Sequence, residues 1–342
     1  MTTSRPPLPD IPPDRADGKS SWVHQALIYS GTLGQIAPAL FMPVWIALIV
    51  IACWFWRDLR LPAAIVTTIY FITDWIMLGL LPRQQRSWGP VTPPLLGLTL
   101  LRMFLSLAGA FLVTTSTGLL AMAAIQALIS TAAFYATWVE PFRVRVTQLR
   151  YTPAQWQGQN MLRILHISDL HFEGMSPREQ AVLDYARQLK PDLILLTGDY
   201  LNLSSVYDPE AQQGARHFLE QLKAPLGVYA VTGSPVVDRE GIVPEIFNKL
   251  KIRWLNDETA SIRYQGNELW LLGVRCTYAQ DRDLKVVEQL VEKVPRGAFT
   301  ILLYHTPDLM PSLASSNVNL YLCGHTHGGQ IRLPMYLSLI HI

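Results

Sequence analysis

Charge is scarce in this chain. Asp, Glu, Lys and Arg make up only 16% of its 342 residues, while 50% are hydrophobic. So low a charge density excludes an ordinary, fully soluble protein and points to a membrane portion beside a soluble one. The net charge is +2, with no long basic run and no block of aromatics interleaved with Lys or Arg, so no nucleic-acid partner is expected. Cysteine is nearly absent. Cys53, Cys276 and Cys323 fit neither a disulfide framework nor a CxxC metal site, and read as small buried hydrophobes. No internal repeat is visible. The first long apolar stretch starts late and lacks a small-residue cleavage pattern, which excludes a secretory signal in this stretch.

What is present in the first half is hydrophobic length. Residues 1–35, with PPLPDIPP among them, are polar and Pro-rich and read as a disordered cytoplasmic tail. Residues 36–140 contain four apolar runs, 36–56, 61–81, 94–115 and 118–139, each long enough to cross a hydrocarbon core of ~30 Å as a helix. Arg5, Arg15, Lys19, Arg83, Arg86, Arg143, Arg145 and Arg150 fall on one side of these spans, and Arg57 and Arg60 on the other. The positive-inside rule then puts both termini in the cytoplasm of a multi-pass protein of the cell membrane, with the lipid bilayer as a partner. Asp74 and Arg102 interrupt the second and third spans at nearly equal depth, so they are expected to pair and lock two helices, a structural role preferred over transport.

From Phe142 the pattern changes to alternation, FRVRVTQLR, and then to short apolar runs separated by helical spacing. Residues 162–167, 193–196, 228–231, 269–274, 300–304 and 320–323 read as buried strands; 177–189, 209–223, 239–250 and 281–293 read as helices. The class is therefore α/β.

Polar residues fall just past the strands: Ser168-Asp169-Leu170-His171, Thr197-Gly198-Asp199, Thr232-Gly233-Ser234-Pro235, His305, and Gly324-His325-Thr326-His327. In an open α/β sheet, groups beyond the carboxyl ends of strands converge on one crevice. Two carboxylates and four imidazoles form a hard-to-borderline donor set suited to Mn, Fe, Zn or Co and poorly suited to Ca. A carboxylate at a central position can bridge two cations ~3.5 to 4 Å apart, as in two-metal hydrolytic sites. His325 and His327, two residues apart, are expected on one face of an extended segment.

The ordered series DLH, GD, a Gly-rich turn, H and GHTHGGQ resembles the calcineurin-like metallophosphoesterases, in particular their bacterial membrane-anchored branch, over about residues 162–334. The resemblance implies a four-layer α/β/β/α sandwich over residues 141–342, preceded here by an all-α four-helix transmembrane region, and two divalent metal ions (Mn, Fe or Zn). Carried over position by position, one ion is held by Asp169, His171, Asp199 and His327. The other is held by Asp199 as bridge, His305, His325 and the residue of the family's GNH turn, here Ser234. Asp199, His305 and His325 are also the expected catalytic residues. The turn departs from the family pattern: Ser234 stands where the family has an amide, and Pro235 where it has a histidine that contacts phosphate and helps protonate the leaving group. Proline offers no side-chain donor.

The implied activity is hydrolysis of a phosphodiester or diphosphate bond by two-metal activation of water, on a phosphoester substrate that bilayer attachment suggests is lipid-linked. The departure at Ser234 and Pro235 motivates a second reading, a metal-binding but catalytically silent membrane sensor or scaffold. Asp238, four positions after Ser234, reads as a surface cap of the following helix in preference to a substitute ligand or acid, His166 and His217 as structural, and Arg332 as a solvated or phosphate-facing residue. The ending LSLIHI resembles translated adapter DNA, so a truncated C-terminus is expected.

Overall fold

The computed structural model describes residues 38–87, 89–112, 115–157 and 161–327. The tail, Arg332, His341 and the C-terminal ending lie outside the described residues. Two compact units divide the chain near residue 144.

The N-terminal unit is helical: α1 (Met42–Trp54), α2 (Arg60–Leu80), α3 (Thr92–Leu112) and α4 (Ser116–Phe134). Three stretches, Arg57–Gln84, Thr92–Leu112 and Ser116–Phe142, are long and apolar enough to cross a bilayer; α1 is shorter as described. Its packing is inverted relative to a water-soluble bundle. On α2 the exposed stripe is Leu61, Ile65, Ile69, Ile72 and Ile76, whereas the buried face includes Ala63, Thr67, Phe71 and Asp74. Small and polar groups inside with large aliphatics outside is the pattern of helices whose surrounding solvent is lipid, because close backbone approach and polar contacts hold such helices together.

Asp74 and Arg102 do pair. Arg102 Nε and Nη2 donate to the two oxygens of Asp74 at 2.6 and 2.7 Å; Nη1 donates to Gln126 Oε1 at 2.7 Å and Nη2 to Ser130 Oγ at 2.8 Å. The fork thus ties α2, α3 and α4 together, with both charged side chains buried. Breaking one half of such a pair strands a charge at a cost of about 3–5 kcal/mol, whereas replacing both halves with apolar groups is often neutral. Arg102→Met is therefore expected to lower the thermal midpoint in detergent more than the Asp74→Leu/Arg102→Met double substitution; a double variant at least as unstable as the single one would contradict the lock.

The C-terminal unit has two four-stranded sheets. β1 (Ile164–Ile167), β2 (Leu193–Leu196), β3 (Val228–Ala230) and β4 (Ile252–Trp254) run parallel; β5 (Glu258–Tyr264) pairs antiparallel with β6 (Asn267–Gly273), which continues in parallel with β7 (Phe299–Leu303) and β8 (Leu320–Leu322). Leu193, Leu195 and Val231 interdigitate with Ala260, Ile262, Leu269, Leu271, Ile301 and Leu303 between the sheets. Outside the first sheet lie α5 (Pro177–Leu189), α6 (Pro209–Glu220) and α7 (Val243–Phe247), and outside the second lie α8 (Gln280–Glu292) and α9 (Met310–Leu313). This makes the four-layer α/β/β/α sandwich. β2 and β7 are buried along their whole length, which is why they read as unbroken apolar runs.

Two strands escaped the sequence reading. β4 and β5 lie in IRWLNDETASIRYQG, where only β5 alternates, and its hairpin to β6 turns on Gln265-Gly266, both with positive φ. That turn geometry is the signal that would have found the hairpin. The helix expected over 239–250 shortens to Val243–Phe247, and the alternating residues 143–150 form no strand.

Candidate active site

Every candidate side chain follows the carboxyl end of a strand. Because β1, β2 and β3 are parallel in one sheet and β7 and β8 in the other, these ends gather at one edge of the sandwich. Backbone hydrogen bonds fasten the loops to each other. Asp169 N donates to Gly198 O at 3.0 Å, His171 N to Asp199 O at 2.9 Å, and Gly324 N to His305 O at 2.8 Å. Two further bonds cross between the sheets: His305 Nδ1 to Thr197 O at 2.8 Å, and His325 N to Asp169 Oδ1 at 2.8 Å.

The donors converge in two overlapping groups, Asp169 with His171 and His327, and Asp169 with Asp199 and His305; within each, the ligand atoms lie within 4.8 Å of one another. His171 Nε2 and His327 Nε2 are 3.0 Å apart. Asp199 Oδ2 stands 3.6 Å from His171 Nε2 and 3.3 Å from His305 Nε2, so this carboxylate reaches toward both groups. Ser234 joins them: its N–H donates to Asp199 Oδ1 at 2.6 Å, and its Oγ lies 3.2 Å from both Asp199 Oδ2 and His305 Nε2. The His325 ring is in neither donor group; it packs edge-on against His305, with centroids 5.2 Å apart.

Backbone conformation aims these side chains. Asp169, His171, Asp199, His325 and His327 all have φ between 42° and 68°. Non-glycine residues rarely occupy this left-handed region, and Asp and His are among those that enter it most often. The expectation that His325 and His327 share one face of an extended segment is therefore corrected. The chain bends through both, which sends His327 toward Asp169 and His171, and His325 toward His305. Two glycines make room. A Cβ on Gly324 would collide with Ser168 Oγ and Asp169 Oδ2, and one on Gly233 with Asp199.

Asp238 is the other correction. It is no surface cap: it is 4% exposed, and its carboxylate accepts from Asp199 N at 2.8 Å, Tyr200 N at 3.0 Å and Gly233 N at 2.7 Å. It clasps the β2 and β3 turns together. Burial, followed by the Asp199 carboxylate, pushes its carboxyl up to about 7, against the pull of those backbone donors. The spacing of one Asp four residues past Ser234 offered no sign of this, because all its partners are main-chain atoms.

Tyr278 was also missed. It follows β6, and its hydroxyl donates to Ser234 Oγ at 2.9 Å. His166 Nε2 meets Thr197 Oγ1 at 2.8 Å inside β1, and His217 lies in the last turn of α6, both outside the donor groups.

The electrostatics follow from this crowding. Burial works against a charged His305, yet the hydrogen bond and charge of Asp199 win and push it up to about 9. Burial also opposes ionisation of Asp169, but the bond from His327 and the charge of His305 hold it down to about 2. Burial lowers His171 and His325, and the charge of His305 adds to the effect on His325. With Nδ1–H donating to Thr197 O, neutral His305 presents its Nε2 lone pair to the cluster, the tautomer a cation requires. The convergent imidazole nitrogens and carboxylates fit divalent cations of the hard-to-borderline class.

Residues 162–329 match the family model for calcineurin-like phosphoesterases. The C-terminal unit belongs to that family. Its members hydrolyse phosphoesters and depend on metal. The chain is 28% identical to the metallophosphoesterase YkuE of Bacillus subtilis over 60% of its own length and 72% of that protein. It is 26% identical to the UDP-2,3-diacylglucosamine pyrophosphatase LpxG of Chlamydia trachomatis, over 58% of this chain and 75% of the relative. A transmembrane protein with metallophosphoesterase domain from Danio rerio is 30% identical over 51% of this chain and 42% of its own.

Two measurements probe the candidate site. Asp238→Asn turns an acceptor oxygen into an amide that faces N–H groups, and each buried N–H left without a partner costs about 1–3 kcal/mol. The variant is expected to unfold at a clearly lower temperature, and an unchanged midpoint would contradict the clasp. In the metal-free protein His305 stays protonated up to about pH 9. A cation must displace that proton, so affinity rises as pH climbs toward that value. Calorimetric Mn²⁺ titrations are expected to show proton release and tighter binding near ~pH 8 than ~pH 6; a pH-independent affinity would contradict it.

Proposed function

We propose that this protein is a membrane-anchored, binuclear metal-dependent hydrolase of a phosphodiester or diphosphate bond. The observation that carries the reading is the placement of Asp199, whose Oδ2 is 3.6 Å from His171 Nε2 and 3.3 Å from His305 Nε2, while Asp169 belongs to both donor groups. One ion is assigned to Asp169, His171, Asp199 and His327, and the other to Asp199, Ser234, His305 and His325. Two divalent ions there would supply Lewis-acid polarisation of a phosphoryl oxygen and a water of lowered pKa, directed at phosphorus in line with the leaving oxygen.

The chain's own groups orient this chemistry. Thr197 O fixes the His305 tautomer, and the His325 N–H fixes one oxygen of Asp169. Ser234 provides a short hydroxyl beside Asp199 and His305, and Pro235 provides no donor. Without a proton donor at Pro235, the reaction favours leaving groups that depart as stable anions, since a positioned acid commonly contributes ~10² to 10⁴-fold.

Three apolar helical stretches long enough to cross a bilayer support a membrane-anchored hydrolase. The Lys and Arg asymmetry of the connections between the apolar runs supports a cytoplasmic hydrolase domain on a multi-pass protein. Membrane attachment, together with similarity to a UDP-2,3-diacylglucosamine pyrophosphatase, supports a lipid-linked substrate.

The test uses the full chain in detergent with Mn²⁺ and a panel of small aryl and alkyl phosphodiesters. Aryl diesters are expected to turn over faster than alkyl ones, and Asp199→Asn to lose about 10²-fold or more of the rate. Bound metal without turnover on any member would instead establish a silent sensor or scaffold. Absence of bound metal would sink both readings.

A further inference from the structure

Tyr278 has a backbone that a bulky residue seldom accepts, with φ at +61°. Such a conformation persists where the surroundings over-determine it, and it clusters at functional sites. Here the surroundings do so. The loop between β6 and α8 is gripped just ahead of the tyrosine. Thr277 donates through N at 2.8 Å and Oγ1 at 2.6 Å to the Asp283 carboxylate, which also accepts from the Tyr304 hydroxyl at 2.7 Å. Arg275 donates through N and Nε to Asp257 at 3.0 and 3.2 Å. None of these groups belongs to the candidate metal cluster, yet together they hold one phenol in place.

The phenol is aimed at the cluster. Its oxygen lies 2.9 Å from Ser234 Oγ, and its ring centroid lies 6.1 Å from that of His325. Ser234 Oγ in turn stands 3.2 Å from Asp199 Oδ2 and His305 Nε2. The hydroxyl therefore borders the side of the site formed by Ser234, His305 and His325, and the residue that follows Ser234 in the chain is a proline with nothing to donate. A phosphoester bound there presents anionic oxygens, and imidazoles committed to cations through their nitrogen lone pairs cannot donate through those atoms. A neutral O–H satisfies such an oxygen without adding charge to the cluster.

We propose that Tyr278 is a substrate-contacting residue that donates a hydrogen bond to a phosphoryl oxygen of the bound phosphoester. Ser234 Oγ holds the hydroxyl in the free protein and gives it up when the substrate arrives. The inference rests on the hydrolase reading above. Replacing Tyr278 by Phe keeps the ring and the backbone and removes only the oxygen.

The experiment compares wild type and Tyr278→Phe as full chains in detergent, with Mn²⁺ and bis(p-nitrophenyl) phosphate. Steady-state kinetics, elemental analysis of bound Mn²⁺ and the thermal midpoint are read in parallel. The expected result is a fall in kcat/KM of about 10- to 100-fold, the range for a hydrogen bond to a charged partner, with metal content and midpoint unchanged. Unchanged kinetics would overturn the role of Tyr278 and leave the hydrolase reading standing. A variant that loses Mn²⁺ along with its activity would also overturn it, because the hydroxyl would then act through Ser234 on the metal. A wild-type protein that binds Mn²⁺ but hydrolyses nothing would fail at the hydrolase reading itself.

Discussion

Three main-chain N–H groups on two turns, those of Asp199, Tyr200 and Gly233, point at the single carboxylate of Asp238. The candidate centre depends on that convergence. Asp199 can reach toward His171 and His305 only if the turn after β2 stays where it is, and Ser234 can meet Asp199 only if the turn after β3 lies against it. Gly198 and Gly233 allow the two turns to touch backbone to backbone, with no room for a side chain on either. A buried acid with an elevated pKa would ordinarily invite a catalytic role. Here its oxygens are already taken by the peptide groups it holds.

Legibility from sequence followed the kind of atom involved. β2 and β7 were readable because burial on both sides demands uninterrupted apolar residues. The donors were readable because Asp and His past strand ends are scarce and came in order. Asp238 was not, since its partners are peptide N–H groups common to every residue. Nor was the path through His325 and His327, because a two-residue spacing implies one shared face only while the backbone stays extended. Tyr278 gave no signal beyond one aromatic after a strand. The β5–β6 hairpin did leave a trace in Gln265-Gly266, but β4, three residues long with only partly buried ends, left almost none.

The helical unit obeys the opposite rule. Its legible feature was length, and its organising contact is polar: the Arg102 fork that spans Asp74, Gln126 and Ser130. Residues that would seed the core of a soluble domain, Ile65, Ile69 and Ile76, face outward, while Ser106 and Gln126 are wholly enclosed. Reading burial from hydrophobicity succeeds in one unit and fails in the other because the surroundings differ, not the chemistry.

The left-handed backbone at Asp169, His171, Asp199, His325 and His327 has a consequence for the evolution of the site. Few side chains combine a donor atom with tolerance of that conformation; Asp, Asn and His do, while β-branched residues pay a steric penalty. Replacing one donor at these positions leads, by the easiest routes, to another oxygen or imidazole. The loops themselves thus disfavour soft, sulfur-rich variants of the centre, and the repertoire of cations it can acquire is narrowed before any ligand is chosen.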